Sequence, residues 1–274
     1  MRILIVHCHP DPHSFNAGLT TLAASTLRAQ GHDVEISDLY ADGFDPVEGP
    51  AHYPLRAQAD AFSPLTEQRH ASETGRLPTD VQREIARLER AELVIFQFPL
   101  WWHAQPAMLK GWMDRVFVYG GLYTSRRRYD EGYFRGRRAL CSVTTGGPTT
   151  TFGQGGRGGN IDWLLWPIHY SLYYMGFDVL PPFLAHGIQG GGPTYQNSER
   201  FAAQLEDDKA RWVQRLAGLD EDRPLPFTGW DDWDEHGALK PGVEGFDPFI
   251  QSGTGGWVAN RERYLQGQER RQPD

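Results

Sequence analysis

Two cysteines in 274 residues, Cys8 and Cys141, are too few and too far apart to make the spaced pairs that hold structural zinc. Both fall inside apolar runs that read as strands, so buried free thiols in a reducing compartment are expected. Long hydrophobic runs are also missing: nothing approaches the roughly 20 apolar residues of a membrane span. Met1-Arg2 leads straight into Ile3-Leu4-Ile5-Val6, which leaves no room for a secretory h-region, and a cytoplasmic protein without a membrane partner is the expectation. Positive charge is in deficit, with 27 Lys and Arg against 35 Asp and Glu for a net charge of −8, which argues against a nucleic-acid partner. The local basic stretches Arg126-Arg127-Arg128 and Arg135-Gly136-Arg137-Arg138 read as solvated, with contact to a phosphate as the alternative. No Gly-x-Ser-x-Gly elbow, His-Glu-x-x-His helix or Walker loop is present, and the turn after the first strand has no glycine-rich dinucleotide fingerprint. The ten histidines are scattered and suggest no metal site.

What is present is an alternation of strand-like and helix-like segments, with 39% hydrophobic residues to fill a core. Residues 2–8 form an apolar run of the kind buried on both faces of a parallel sheet. His9-Pro10-Asp11-Pro12-His13 ends it, and Ser14 is placed to cap a helix running to about Gln30, which Gly31 stops. Strands are expected at residues 34–39, 93–99, 138–145 and 179–186, the last at an edge or starting late because of Pro181 and Pro182. Helices are expected at 79–89, 106–119, 161–175 and 198–216, and residues 41–77 read mostly as an excursion. This order predicts a doubly wound, five-stranded parallel sheet with right-handed crossovers and helices on both faces. It occupies residues 1–217. Residues 218–274 form an irregular extension whose Trp230, Trp233, Phe246, Phe249 and Trp257 suit packing across a surface, with a frayed end from Gln266.

In open α/β sheets ligands sit beyond the carboxyl ends of the strands. Three loops there carry candidate residues. After the third strand, Pro99-Leu100-Trp101-Trp102-His103 offers aromatic rings that either flank a planar ligand or cap the core. After the first, His9, Ser14, Phe15 and Asn16 stand at a helix N-terminus, where free amides and the dipole favour a phosphate. After the fourth, Thr144-Thr145-Gly146-Gly147 lets backbone amides approach a ligand. His169, in an apolar helix, reads as a satisfied core residue. Asp114 reads either as a functional acid near an interface or as a partner for Arg115.

These blocks, together with Ser37-Asp38-Leu39-Tyr40-Ala41, Lys110-Gly111-Trp112 with Arg115-Val116-Phe117, and Leu165-Trp166-Pro167-Ile168, resemble the long flavodoxin-like NAD(P)H:quinone oxidoreductases of the DT-diaphorase type from about Arg2 to Leu216. The resemblance implies a flavodoxin-like fold and bound FAD, its diphosphate on Ser14-Phe15-Asn16 near His9. The flavin ring would then lie between residues 99–103 and the Thr144-Thr145-Gly146-Gly147 turn. It implies NAD(P)H as hydride donor in a ping-pong reaction with a quinone or related electrophilic aromatic, in a homodimer where Tyr123 reaches the partner's site. Two departures stand out: the family's tyrosine and histidine, which balance charge on the reduced cofactor, are here Phe152 and Gly158. Neither offers a donor, and losing one aimed donor costs roughly 10²–10³ in rate in comparable sites. Arg157, Gln154, the Gly146 and Gly147 amides, and His103, which replaces a family aromatic, are candidates to compensate. Arg157 reads equally as a solvent-facing residue. Ser125 replaces a second family tyrosine and predicts a roomier, more polar mouth. The alternatives are a flavoenzyme for one specific metabolite, or a flavin-loaded regulatory subunit of the kind attached to potassium-efflux systems.

Overall fold

A computed structural model describes residues 1–153, 155–188 and 197–246. The strands β1 (Arg2–His7), β2 (Asp33–Asp38), β3 (Leu93–Pro99), β4 (Arg138–Thr144), β5 (Asp178–Val179) and β6 (Phe183–Ala185) alternate with helices α1 (Phe15–Ala29), α2 (Pro64–Glu73), α3 (Thr79–Arg90), α4 (Ala107–Val116), α5 (Ile161–Tyr174) and α6 (Ser198–Ala217). All strand pairs are parallel, in the order β2-β1-β3-β4-β5, with β6 also on β4. The fifth position of the sheet is thus one strand broken at Pro181 and Pro182, which supply no amide to the ladder, and it lies at the edge as expected.

Each central strand is buried on both faces, and its alternate residues feed two cores. Ile3, Ile5, Leu93, Ile95 and Leu140 pack with α1 and α6. Leu4, Val6, Val94, Phe96, Phe98, Cys141 and Val143 pack with α3, α4 and α5. On the α1 face the strands turn polar near their carboxyl ends, where His7, Gln97 and Ser142 lie side by side in register. That change is what converts a core face into the floor of a site.

Several expectations need correction. Residues 41–77 contain α2, whose buried face is Glu67, Gln68 and Ala71. An apolar period is therefore absent, and Pro64 at the first helical turn was the available signal. Helix α4 stops at Val116, not Tyr119, because the Tyr119 amide is taken by Gln68 Oε1 at 3.0 Å and Gly120 follows with φ +84°. The basic stretches are largely structural. Arg137 Nη1 caps α3 by donating to the Leu88 and Ala91 carbonyls, and Arg138 reaches the Leu219 carbonyl. Arg128 lies 5.3 Å from both the Tyr129 and Trp230 rings and donates to the Tyr174 hydroxyl. Asp114 pairs with Lys110 at 2.5 Å, while Arg115 pairs with Asp80. Both cysteines are free and buried, and burial pushes the Cys8 thiol up to about 12.

The extension packs across α5 and the turn at residues 129–131: Phe227 stacks on Tyr173 at 4.5 Å, Phe246 meets Trp166 at 5.8 Å, and Trp233 meets Tyr129 of the turn at 4.8 Å. The Leu225 amide donates to the Val179 carbonyl at 2.8 Å. Phe249, Trp257 and residues 266–274 lie outside the described residues. No described helix is long and apolar enough to cross a membrane.

Two substitutions report on this packing. A Cβ at Gly111 would stand 2.0 Å from the Pro46 carbonyl oxygen, whereas one at Gly18 meets nothing within 4 Å. Gly111→Ala is expected to cost about 3 kcal/mol, and Gly18→Ala to add up to about 1 kcal/mol, both measured by urea unfolding.

His169 is buried, but its Nε2 has no partner among the described residues, so it is not the satisfied core residue expected. Burial pushes its pKa down to about 4 from 6.5. The unfolded chain takes this proton as pH falls through 6.5 and the folded chain only near 4, so acid favours unfolding. About 3 kcal/mol of stability, complete above pH 6.5, is lost by pH 4. His169→Leu is expected to flatten that limb of the stability–pH curve.

Candidate functional site

The carboxyl ends of β1, β3, β4 and β6 bring together His9, Ser14, Asn16, residues 99–103, residues 144–147, Phe152 and His186. Asn16, on the first turn of α1, crosses to the sheet: its Nδ2 donates to Thr144 Oγ1 at 2.8 Å, and its Oδ1 accepts from Gln97 Nε2 at 2.8 Å. The next layer down is His7, which meets the Thr20 hydroxyl through Nδ1 at 2.8 Å, with burial lowering its pKa. Gln97 Oε1 and Ser142 Oγ are buried without partners among the described residues. Gln97 was not singled out from the sequence, and its place inside an apolar strand run was the available signal.

Three sets of backbone donors surround this floor. Ser14 caps α1 by accepting from the Ala17 amide at 3.1 Å, which leaves the Phe15 and Asn16 amides without an acceptor among the described residues. Leu100 is tied to the Thr144 carbonyl at 2.8 Å, and Trp101 and Ala104 exchange backbone bonds at 3.0 and 3.1 Å around a two-residue turn. Both central residues of that turn are left-handed, Trp102 at φ 50° and His103 at φ 63°. Asn and Gly are the residues such turns favour, and a bulky side chain there stores strain of about 1 kcal/mol or more. Trp102 is 96% exposed and Trp101 41%, with Trp101 tilted against His9 at 5.8 Å. The rings therefore flank open space rather than cap the core. The third set is the Gly146 and Gly147 amides, which also lack acceptors among the described residues.

The loop after β4 explains both departures at once. Phe152 lies against Gly147 and Gly158: a Cβ at Gly158 would stand 2.9 Å from the Thr151 carbonyl oxygen and 3.1 Å from Phe152 Cε1. The Gly158 amide donates to the same Thr151 carbonyl at 2.8 Å. In this conformation a side chain at residue 158 would force the Thr151 backbone to shift and the Phe152 ring to give way. Arg157 is exposed and makes no hydrogen bond or ion pair among the described residues. Gln154 lies outside them. Tyr123 does not join this group. It packs on Tyr119 and Tyr174, in a cavity of about 500 Å³ lined also by Lys110, Met113 and Phe117. Ser125 is exposed.

The family model for the flavodoxin-like fold matches residues 1–216. The ribosyldihydronicotinamide dehydrogenase [quinone] of Mus musculus is 36% identical over 234 residues, covering 83% of this chain and 95% of that protein. This chain belongs to the flavodoxin-like NAD(P)H:quinone oxidoreductase family. A second relative is NAD(P)H dehydrogenase [quinone] 1 of Cavia porcellus, 37% identical over 83% of this chain and 80% of that one. A structure assigned as a quinone reductase from Klebsiella pneumoniae superposes on it with a TM-score of 0.81 at 32% identity, covering 94% of this chain and 98% of the other. The chain is thus an NAD(P)H:quinone oxidoreductase-like enzyme, with its loops at the end of the sheet where that fold binds ligands.

The turn yields a direct test. Trp102→Gly and His103→Gly remove left-handed strain and are each expected to raise stability by about 1 kcal/mol. The same changes should weaken binding of added flavin at least tenfold. Thermal unfolding and fluorescence titration of the apoprotein measure the two effects.

Proposed function

We propose that this protein is an FAD-dependent, homodimeric enzyme that carries hydride from NAD(P)H to a quinone or related electrophilic aromatic, donor and acceptor using the same site in turn. The observation that carries this reading is the set of backbone amides at Phe15, Asn16, Gly146 and Gly147 without acceptors among the described residues, at the same end of the sheet as an exposed tryptophan held on a strained turn. Anions and carbonyl oxygens are what such amides donate to, and a flat ring is what an exposed indole covers. FAD offers both chemistries. When bound, it supplies the hydride-accepting ring that neither the donor nor the protein provides.

The chain's own residues bind, orient and exclude water. Ser14, Phe15 and Asn16, with His9 beside them, would hold the diphosphate at the positive end of α1. Pro99, Leu100, Trp101, Trp102 and His103 would hold the ring from one loop, and Thr144, Thr145, Gly146 and Gly147 from the other. Asn16 keeps these walls in register because it bonds to the strands behind both of them. The cavity around Tyr123, with Leu65 50% exposed at its lip, suits a second copy of the chain. In that arrangement Tyr123 serves the partner's site, and the exposed Ser125 leaves a wide mouth for the acceptor. Residues 1–217 carry the chemistry, and residues 218–246 of the extension cover α5 and the sheet edge.

Purified protein mixed anaerobically with NADPH, then NADH, is expected to bleach the flavin absorbance rapidly and to release FAD, rather than FMN, on denaturation. Protein that neither contains nor binds flavin overturns the proposal. Bound FAD that stays oxidised with both donors overturns the hydride-transfer part.

A further inference from the structure

Phe152 and Gly158 leave the site without the two donors a reductase of this type would use against accumulating negative charge. A titratable ring stands behind them. His186 follows β6 directly and is stitched to the Thr144-Thr145-Gly146-Gly147 turn by three backbone bonds. The Thr145 amide donates to the Ala185 carbonyl at 2.9 Å, the Gly187 amide to the Gly147 carbonyl at 2.8 Å, and the Ile188 amide to the Thr145 carbonyl at 2.9 Å. Its ring stacks on Phe152 with centroids 5.7 Å apart and planes 27° apart. Its Nδ1 lies 2.9 Å from Thr145 Oγ1, and its carbonyl accepts from Gln204 Nε2 at 2.5 Å.

The tautomer follows from assigning the Thr145 hydroxyl proton to the Gly147 carbonyl. Thr145 has one hydroxyl proton, and its Oγ1 stands 2.9 Å from the Gly147 carbonyl that accepts it. Nδ1 then carries the hydrogen and donates to Oγ1, which leaves Nε2 as a lone pair able to take a proton. The charged group facing His186 is Arg211 of α6, itself paired with Asp208 at 2.5 Å. Burial first, and Arg211 second, lower the His186 pKa, so the ring is neutral at pH 7 and its proton position is vacant.

We propose that His186 is a positioning residue that replaces the missing donors: it takes a proton on Nε2 as the site is reduced and holds the Thr145–Gly147 turn through Nδ1. The proposal rests on the flavin reading above. Hydride brings two electrons and one proton, so the site gains one net negative charge, and one proton from solvent onto His186 balances it. Passing hydride to a quinone removes that charge. The His186 proton then leaves, supplying the second of the two protons that the doubly reduced quinone carries.

The test uses the FAD-loaded protein. Midpoint potentials measured from pH 5.5 to 8.5 are expected to show a break in slope for the wild type and none for His186→Gln, whose amide can meet Thr145 but cannot titrate. Imidazole NMR is expected to move the His186 pKa upward by at least one unit on reduction. NADPH-dependent reduction in His186→Gln should fall at least tenfold at pH 7. Identical potential profiles for the two proteins, or a His186 pKa indifferent to reduction, overturn the proposal while leaving the flavin reading intact. Failure of the wild type to bind FAD at all removes the reading and the proposal together. If His186→Gln does not fold, Thr145→Val carries the question: it removes the hydroxyl and should shift the break, and an unmoved break overturns the proposal.

Discussion

The candidate site depends on one side chain amide. Asn16 sits where α1 begins, yet its two bonds end on β3 and β4, so the helix N-terminus, the aromatic turn and the threonine turn share a common anchor. A buried amide whose carbonyl and amino groups are both engaged has little freedom to rotate, and each bond also satisfies a group the apolar core would otherwise penalise. The surrounding pattern makes this possible. Strands that are apolar for most of their length become polar over their last residues on the α1 face alone. The opposite face stays apolar through Phe98 and Val143, and so keeps the sheet packed while its other face is opened to polar chemistry.

The distribution of charge follows the same division of labour. The arginines that look like a basic surface in the sequence cap helix ends, bridge to carbonyls, or lie over aromatic rings. Arg157, by contrast, is exposed and makes no hydrogen bond or ion pair among the described residues. At the edge of the sheet, two prolines and the Leu225 amide on Val179 occupy the positions where a foreign strand would pair.

Most of the sheet was legible because strands buried on both faces leave continuous apolar runs, and β3 came out at its observed bounds, Leu93–Pro99. Helix α2 was hidden because its inward face is Glu67 and Gln68, which bond to backbone amides and to polar partners in place of apolar neighbours. The loops at the site were legible as places, since glycines, aromatics and a capping serine mark them. Their internal couplings were not. Nothing in one sequence says that Phe152 and Gly158 touch, that Gln97 reaches Asn16, or that His186, 41 residues beyond Thr145, bonds to it. Those pairings are set by register between strands and appear only when the sheet is assembled.

The packing of the loop after β4 also limits what can replace Gly158. A Cβ there would stand 2.9 Å from the Thr151 carbonyl oxygen and 3.1 Å from the Phe152 ring, and the first of these is backbone, so it persists whatever residue occupies 152. A donor cannot be restored at 158 by exchanging side chains alone: the backbone between 151 and 158 has to move with it.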